Sequence, residues 1–281
     1  DLGDTLLYAG QLKRELLPSL PRPASTPELS ELERYYERPW IDNLFFQFDE
    51  PADNMPCYGR EIARIGSNAS LALMVDFTAA EKETLLVRFV QYGIDLWGLV
   101  RAGYPGWQAH GGHGNGRKWP LLFAGILFEN AEMKALATDY SDVDFSEDMQ
   151  TIAGSGWTGA TVVYGGHVGP DGDGVNPGWG PYEHLQPSAW QGDAIGESYR
   201  RCCTSIGWIG TALSARMLSA QQLWQHDPFF DYADRWMTED DTQAVQTIQQ
   251  QTGHDFSADW ARQGQAWDAF VEEMWASYRS Q

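Results

Sequence analysis

Two histidines and two basic residues share one glycine-rich stretch, WQAHGGHGNGRKWP, at residues 107–120. An imidazole titrates near neutral pH, so His110 and His113 are candidate proton carriers. Glycines let a backbone approach a ligand closely, and the apolar run LLFAGILF that follows is typical of a helix, whose N-terminus favours anions. We therefore predict a loop that binds an anionic ligand, with Arg117 and Lys118 in contact with it. A purely structural loop is the alternative.

Arginine and asparagine recur at helical spacing in YGREIARIGSN, residues 58–68. Arg60, Arg64 and Asn68 stand four residues apart and therefore share one face of a helix. Two guanidinium groups on one face can bind a carboxylate in a directional, bidentate manner. The alternative is a solvated face on which these arginines pair with the chain's own carboxylates.

A tyrosine stands beside two arginines in GESYRRCCTS, residues 196–205. Cationic neighbours stabilise a phenolate, so we expect Arg200 and Arg201 to bring the pKa of Tyr199 below its ordinary value of about 10. A phenol of this kind suits proton abstraction from carbon. Simple packing at a helix start is the alternative.

Aromatic residues are interleaved with Gly, Pro, Asp and Asn over residues 154–193. A sugar ring has an apolar face and a polar edge, and flat rings with polar neighbours match both. Rigid structural loops are the alternative. The side chains expected to contact a glycan here are Trp157, Trp179, Trp190, His167 and His184.

A metal ion is an alternative role for the histidines. His113, together with His110, would supply two ligands, and His167 or His184 the third. No Cys or Glu at metal-binding spacing supports this arrangement, so we expect no cofactor. DGDGVN at 171–176 lacks the downstream glutamate of an EF-hand and is interpreted as a turn.

The composition of the chain limits the classes of partner that it can bind. The chain has 281 residues, 43% of them hydrophobic, enough for one large core, and we expect a single domain over residues 1–281. A net charge of −20 argues against nucleic acid or an anionic membrane surface as partner. Local charges still decide binding in a cleft, because charges are screened beyond about 8 Å.

The chain contains no run of about 18 apolar residues, so we expect a soluble protein. Its first residues lack the basic start of a signal peptide, and the chain opens in helix-like sequence. That opening is compatible with the removal of a leader or of further N-terminal helices.

Helices must position these groups. The patterns predict helices over 1–17, from Thr26–Pro27 onward, and over 59–75, 78–101, 118–137, 199–224, 228–237, 239–251 and 258–279. Thr78 and Glu81 match a capping box, and His226 marks a helix boundary. No fixed-period repeat favours a solenoid. We predict an all-α fold, an (α/α) barrel or toroid of helical hairpins with the long Gly- and Trp-rich loops at one end.

Three cysteines leave an odd thiol, and adjacent residues rarely bridge each other. Two interpretations remain. Either Cys57 is bridged to Cys202 or Cys203, or all three are buried, reduced thiols, which we favour.

Three segments, YGREIARIGSNASLAL, GGHGNGRKWPLLFAGILF and WQHDPFFDYADRWM, resemble bacterial polysaccharide-degrading (α/α) barrels, above all alginate and glucuronan lyases. The likeness covers about residues 40–237 and implies cleavage of a uronic-acid polymer by β-elimination. A uronate carboxylate must be neutralised, the C5 proton removed and the departing oxygen protonated. Their chemistry suits Arg60, Arg64 and Asn68 to neutralise the carboxylate. His113 or Tyr199 could remove the C5 proton, and Tyr199 could protonate the departing oxygen. Arg117 and Arg200 would bind neighbouring uronates.

We therefore expect a secreted or periplasmic polysaccharide lyase whose partner is an acidic polysaccharide such as alginate or glucuronan. One alternative is a glycoside hydrolase that uses Asp193 with Glu197, or Glu129 with Glu183. The other is a non-catalytic carbohydrate-binding protein.

Overall fold

The protein is described by a computed structural model that covers residues 6–39, 55–56, 58–166, 183–190, 195–256 and 263–280. Helix accounts for 59% of the residues and strand for 5%, which confirms the predicted mainly helical class. The helices are α1 (Leu29–Tyr35), α2 (Gly59–Ala72), α3 (Ala79–Arg101), α4 (Lys118–Leu127), α5 (Ala131–Lys134), α6 (Leu136–Asp139), α7 (Ser146–Gln150), α8 (Ile195–Tyr199), α9 (Ser205–Met217), α10 (Gln221–Trp224), α11 (Asp227–Thr238), α12 (Thr242–Thr252) and α13 (Ala269–Tyr278).

Helices α2 and α9 cross at close range because small residues face each other. A Cβ on Gly210 would lie 2.6 Å from the Cβ of Ser67, so the crossing requires glycine there. The Ser67 hydroxyl donates to the Gly207 carbonyl oxygen at 3.1 Å, a buried hydrogen bond that fixes the two helices together. This crossing places the first turn of α2, with Arg60, beside the segment that precedes α9.

The predicted capping box at the start of α3 is confirmed. The Thr78 N–H donates to the Glu81 carboxylate at 2.7 Å, and the Glu81 N–H donates to the Thr78 hydroxyl at 3.3 Å. The predicted helix over 118–137 is instead divided into α4, α5 and α6. Glu129 adopts φ 49°, in the left-handed region, and the Asn130 side chain then caps α5.

The N-terminal helical prediction is wrong for the described residues 6–17. They form two 3₁₀ turns, Ala9–Gln11 and Arg14–Leu16, and not an α-helix. Helix α1 begins at Leu29, after the Thr26–Pro27 pair at which the sequence predicted its start.

Two small sheets flank the glycine loop, and the sequence did not predict them. Strand β1 (Gly106–Trp107) pairs in parallel with β2 (Asp144–Phe145), and β3 (Thr151–Ala153) pairs antiparallel with β4 (Val162–Tyr164). His226 precedes α11 as predicted, and its Nε2 lies 2.8 Å from the Thr151 carbonyl oxygen.

Helix α8 continues through a π-helix, Arg200–Thr204, into α9. Within the π-helix, Cys202 and Cys203 form a disulfide between adjacent residues. Both cysteine interpretations are therefore wrong for this pair, because they relied on the rarity of disulfides between adjacent residues. Single π-helical turns inside α-helices are frequent at functional sites.

Most buried apolar side chains form one continuous core, which extends from Leu12 to Trp275. A smaller cluster of Val245, Ile248 and Phe256 lies beside it. None of the described helices combines the length and the apolar composition needed to cross a membrane.

Candidate functional site

The glycine loop contacts the start of α2 through Tyr58. The Gly112 N–H donates to the Tyr58 hydroxyl oxygen at 2.9 Å, and the Tyr58 ring meets the His113 imidazole edge-on with centroids 4.8 Å apart. A Cβ on Gly112 would lie 2.9 Å from that hydroxyl oxygen and closer still to the Cys203 carbonyl oxygen. Glycine at 112 therefore lets the loop contact α2 and the π-helix at once.

His113 is half-buried, and its environment disfavours the charged ring. Desolvation lowers its pKa to about 4, and the positive charges of Arg117 and His110 act in the same direction. The imidazole is therefore neutral at neutral pH, and a ring nitrogen lone pair can accept a proton. His110 is also half-buried and adopts φ 39° in the same loop.

Arg60 connects α2 with the π-helix. Its Nη1 donates to the Cys202 carbonyl oxygen at 3.1 Å and lies 3.9 Å from Cys203 Sγ. The guanidinium carbon lies 5.2 Å from the centroid of the Tyr58 ring, and the Glu61 carboxylate binds its other edge. Arg60 thus supplies a cation at the loop while it holds the disulfide turn in place.

Tyr199 ends α8 immediately before the π-helix, and it interacts electrostatically with Tyr58. Burial raises the pKa of Tyr199, so the prediction of a lowered pKa is wrong. The phenol stays protonated at neutral pH and is suited to donate a proton. We call Tyr58, Arg60, His113 and Tyr199 the loop cluster; three of its members were predicted, and Tyr58 was not.

Arg200 and Arg201 bind buried carboxylates. Arg200 donates to both oxygens of Glu197 at 3.1 and 2.9 Å, and Arg201 Nε donates to the same carboxylate at 2.7 Å. Arg201 Nη1 also lies 2.6 Å from an Asp241 oxygen. These contacts explain why neither guanidinium lowers the pKa of Tyr199. The expected substrate contact of Arg200 is corrected, because its side chain is only 3% exposed.

Arg117 and Lys118 also lie in the interior, so their expected contacts with substrate are corrected. Arg117 is 1% exposed, and its Nη1 donates to the His113 carbonyl oxygen at 3.1 Å and to a second loop carbonyl. Lys118 contacts the Asp148 carboxylate and donates to the Trp224 carbonyl oxygen at 2.7 Å. Arg117 therefore stabilises the conformation of the glycine loop through hydrogen bonds to its carbonyl oxygens.

Arg64 and Asn68 bind one carboxylate outside the loop cluster. Arg64 Nε and Nη2 donate to Asp268 at 2.8 and 2.6 Å, and Asn68 Nδ2 donates to the same group at 2.8 Å. The alternative of a pairing with the chain's own carboxylates thus applies to Arg64 as well as to Arg60. Trp267 connects the two regions, because its ring centroid lies 4.6 Å from the guanidinium carbon of Arg60 and 5.1 Å from that of Arg64.

Two of the expected aromatic contacts lie together. The rings of Trp157 and Trp190 meet edge-on with centroids 6.4 Å apart and pack against the small apolar cluster. His184 is exposed nearby in sequence. The predictions for His167 and Trp179 fall outside the described residues.

The described carboxylates proposed for a hydrolase serve ion pairs. Glu183 is buried, and its Oε1 lies 2.6 Å from Arg235 Nη2. Burial acts to raise the pKa of Glu183, but the charges of Arg235 and Arg200 and the hydrogen bond from Arg235 together outweigh it, and the pKa is lowered. Glu197 is bound as described above, and Glu129 forms a surface ion pair. Asp193 lies outside the described residues.

Helix α7 supports the glycine loop with residues that the sequence did not single out. The Gly116 N–H donates to Glu147 Oε1 at 2.6 Å, and the Ser146 hydroxyl donates to Asn115 Oδ1 at 2.6 Å. Glu147 is buried, and desolvation raises its pKa to about 7. The loop therefore rests on a carboxyl group that holds its proton close to neutral pH.

No group of three His, Cys, Asp or Glu side chains within the described residues is placed to hold a metal ion. His167, one of the ligands considered from the sequence, is not among them. Comparison of the chain with protein-family models, with curated proteins and with solved structures finds no match.

Proposed function

We propose that the protein is a polysaccharide lyase that cleaves a uronic-acid-containing polysaccharide by β-elimination. The observation that carries the proposal is the loop cluster, in which a guanidinium and a neutral imidazole both contact Tyr58 beside the glycine loop and a protonated phenol interacts electrostatically with the same tyrosine. β-Elimination requires a positive charge near the uronate carboxylate, a base at C5 and an acid at the leaving oxygen. The cluster holds one group suited to each requirement.

His113 is the proposed base. Its low pKa keeps the imidazole unprotonated in the free protein, and a bound uronate then strengthens it, because a nearby anion favours the imidazolium. The base therefore becomes stronger when substrate binds. Tyr58 holds the imidazole through the edge-on ring contact and is a positioning residue.

Tyr199 is the proposed acid, and Arg60 the proposed neutraliser of the carboxylate. Burial raises the pKa of the Tyr199 phenol and lowers the pKa of His113. Before the reaction the phenol therefore carries its proton, whereas the imidazole is unprotonated. Environments that move two pKa values apart in this way separate an acid from a base. Because the Glu61 carboxylate and the Cys202 carbonyl oxygen already bind Arg60, neutralisation requires the uronate carboxylate to compete with these acceptors.

The finer architecture and the location belong to the same proposal. An (α/α) barrel or toroid agrees with the helical content and with the paired packing of α2 on α9 and of α3 on α4. The proposed substrate is an extracellular polymer, so we infer a secreted or periplasmic protein.

The test compares Tyr199→Phe with the native chain on alginate, glucuronan and related uronans. A lyase releases unsaturated ends that absorb ultraviolet light, and we expect Tyr199→Phe to lose at least about 100-fold in rate. Tyr104→Phe is the matched control, since Tyr104 is 37% exposed and lies outside the loop cluster. Native kcat/KM should rise with pH through about 4 as His113 loses its proton.

Other outcomes select other functions. Reducing ends without ultraviolet absorbance would identify a hydrolase and overturn the proposal. Sugar binding with neither product would identify a binding protein. Equal rates for Tyr199→Phe and the native chain would remove Tyr199 from the mechanism.

A further inference from the structure

A polar cavity lies beside Arg64, outside the loop cluster. It has a volume of about 310 Å³ and lies between α1, α2 and the start of α13. Small-molecule sites begin at about 300 Å³, so the cavity can hold one small ring. Its lining includes Tyr35, Arg64, Asn68, Asp268 and Glu31.

The polar groups of this cavity form a preorganised set of donors and acceptors. Arg64 and Asp268 hold each other in bidentate geometry, and Asn68 fixes the carboxylate from a third direction. The side chains of Arg64 and Asp268 are 35% and 20% exposed, so both remain accessible to a ligand in the cavity. A ring hydroxyl can donate to the carboxylate while its neighbour accepts from the guanidinium, and the Tyr35 ring offers an apolar surface beside them.

The charges of the cavity exclude an anion. The Arg64–Asp268 pair is neutral overall, and Glu31 adds a negative charge to the lining. A further carboxylate, Glu273, accepts a hydrogen bond from the Ser25 hydroxyl at the same cavity. A uronate would therefore meet a net negative surface, whereas an uncharged sugar would not.

We propose that this cavity binds an uncharged, hydroxyl-bearing sugar ring. The proposal rests on the proposed function only for the class of ligand, a polysaccharide, and not for its cleavage. Trp267 contacts both Arg60 and Arg64, so a neutral unit in the cavity would sit next to a uronate at the loop cluster. The substrate it implies is a mixed polymer that carries neutral sugars beside uronic acids.

The experiment compares sugars that differ only at C6: glucose with glucuronate, mannose with mannuronate and galactose with galacturonate. Protein labelled with ¹⁵N-arginine reports binding through the Nε–H signals of Arg64 and Arg60, assigned with Arg64→Lys and Arg60→Lys. We expect at least one neutral sugar to shift the Arg64 signal and to bind there at least about tenfold more tightly than its uronate. Asp268→Asn, which removes one negative charge, should reduce that preference.

The control is Glu83→Gln, which breaks a bidentate arginine pair of similar exposure, with Arg14, far from the cavity in sequence. It should leave the preference unchanged. The inference is overturned if a uronate shifts the Arg64 signal as strongly as the corresponding neutral sugar does. It is also overturned if none of the six sugars shifts the Arg64 signal. If the protein cleaves uronans but no sugar shifts the Arg64 signal, this inference alone is wrong. If neutral sugars shift the Arg64 signal but no uronan is cleaved, only the proposed function is wrong.

Discussion

Glu147→Gln tests the electrostatics beneath the glycine loop. Glu147 is 1% exposed, its Oε1 accepts the Gly116 N–H, and its Oε2 has no hydrogen-bond partner within the described residues. Glutamine keeps an oxygen for the Gly116 N–H but cannot ionise. The substitution therefore copies the protonated form of the native residue at every pH.

The size and sign of the effect follow from the pKa of Glu147. Desolvation raises that pKa from 4.5 to about 7. Below pH 4.5 the carboxyl group is protonated in both the folded and the unfolded chain, so its titration does not change the free energy of unfolding there. Between these values the unfolded chain ionises first, so stability falls as pH rises, and the loss is complete above about 7. At about 1.36 kcal/mol per pKa unit, the loss is about 3 kcal/mol.

The measurement is the free energy of unfolding in urea, followed by tryptophan fluorescence between about pH 4.5 and 8. The native value minus the Glu147→Gln value should fall by about 3 kcal/mol as pH rises. Glu83→Gln is the control. Its hydrogen bond with Arg14 lowers the pKa of Glu83, so the titration of Glu83 lies in more acidic solution and its difference should stay flat. Parallel curves for the native chain and Glu147→Gln would refute the reasoning.

Three further predictions concern the surroundings of the loop cluster. Gly112→Ala should lower the free energy of unfolding by about 1–3 kcal/mol or more, because the new Cβ would clash with Tyr58 and Cys203. Gly154→Ala is the control, since its Cβ would come no closer than 3.9 Å to Val163, and thermal unfolding compares the two variants. Glu197→Gln should cost about 3–5 kcal/mol, because two buried guanidinium groups lose their shared carboxylate, and a loss no larger than that of Glu239→Gln at a more exposed pair would contradict this. Alkylation in denaturant should leave Cys202 and Cys203 unmodified until a reductant is added, as peptide masses will show; alkylation without reductant would disprove the disulfide.

Periodicity predicted the helices whose apolar faces are clear. Helix α2 follows the Ile62 and Ile65 stripe, and α3 follows the Thr78 capping box, because both signals are local in the chain. The leucines before residue 18 gave a false helix, since apolar spacing alone does not supply the contacts that stabilise one. The break at Glu129 had a local signal, the Asn130 N-cap of α5, which apolar periodicity alone does not detect.

The candidate site was predicted in part. Three members of the loop cluster were predicted from residue type and spacing, whereas Tyr58 was missed although it directly precedes Gly59 in the quoted motif. Its signal was an aromatic side chain at the N-cap position of α2, where a glycine loop could pack. Glu147 and Ser146 were missed because their role exists only when α7 folds beneath the loop.

Sequence spacing identifies which arginines share a face but not which carboxylate each one meets. Arg64, Arg117 and Arg200 all carry the charge that suggested a binding role, and each binds the chain's own acceptors instead. In a protein of net charge −20, a buried guanidinium is more readily satisfied internally than by a ligand. Arg60 likewise binds Glu61 and the Cys202 carbonyl oxygen, so the proposed recognition of a uronate requires its carboxylate to compete with these acceptors and does not rest on a concentration of positive charge.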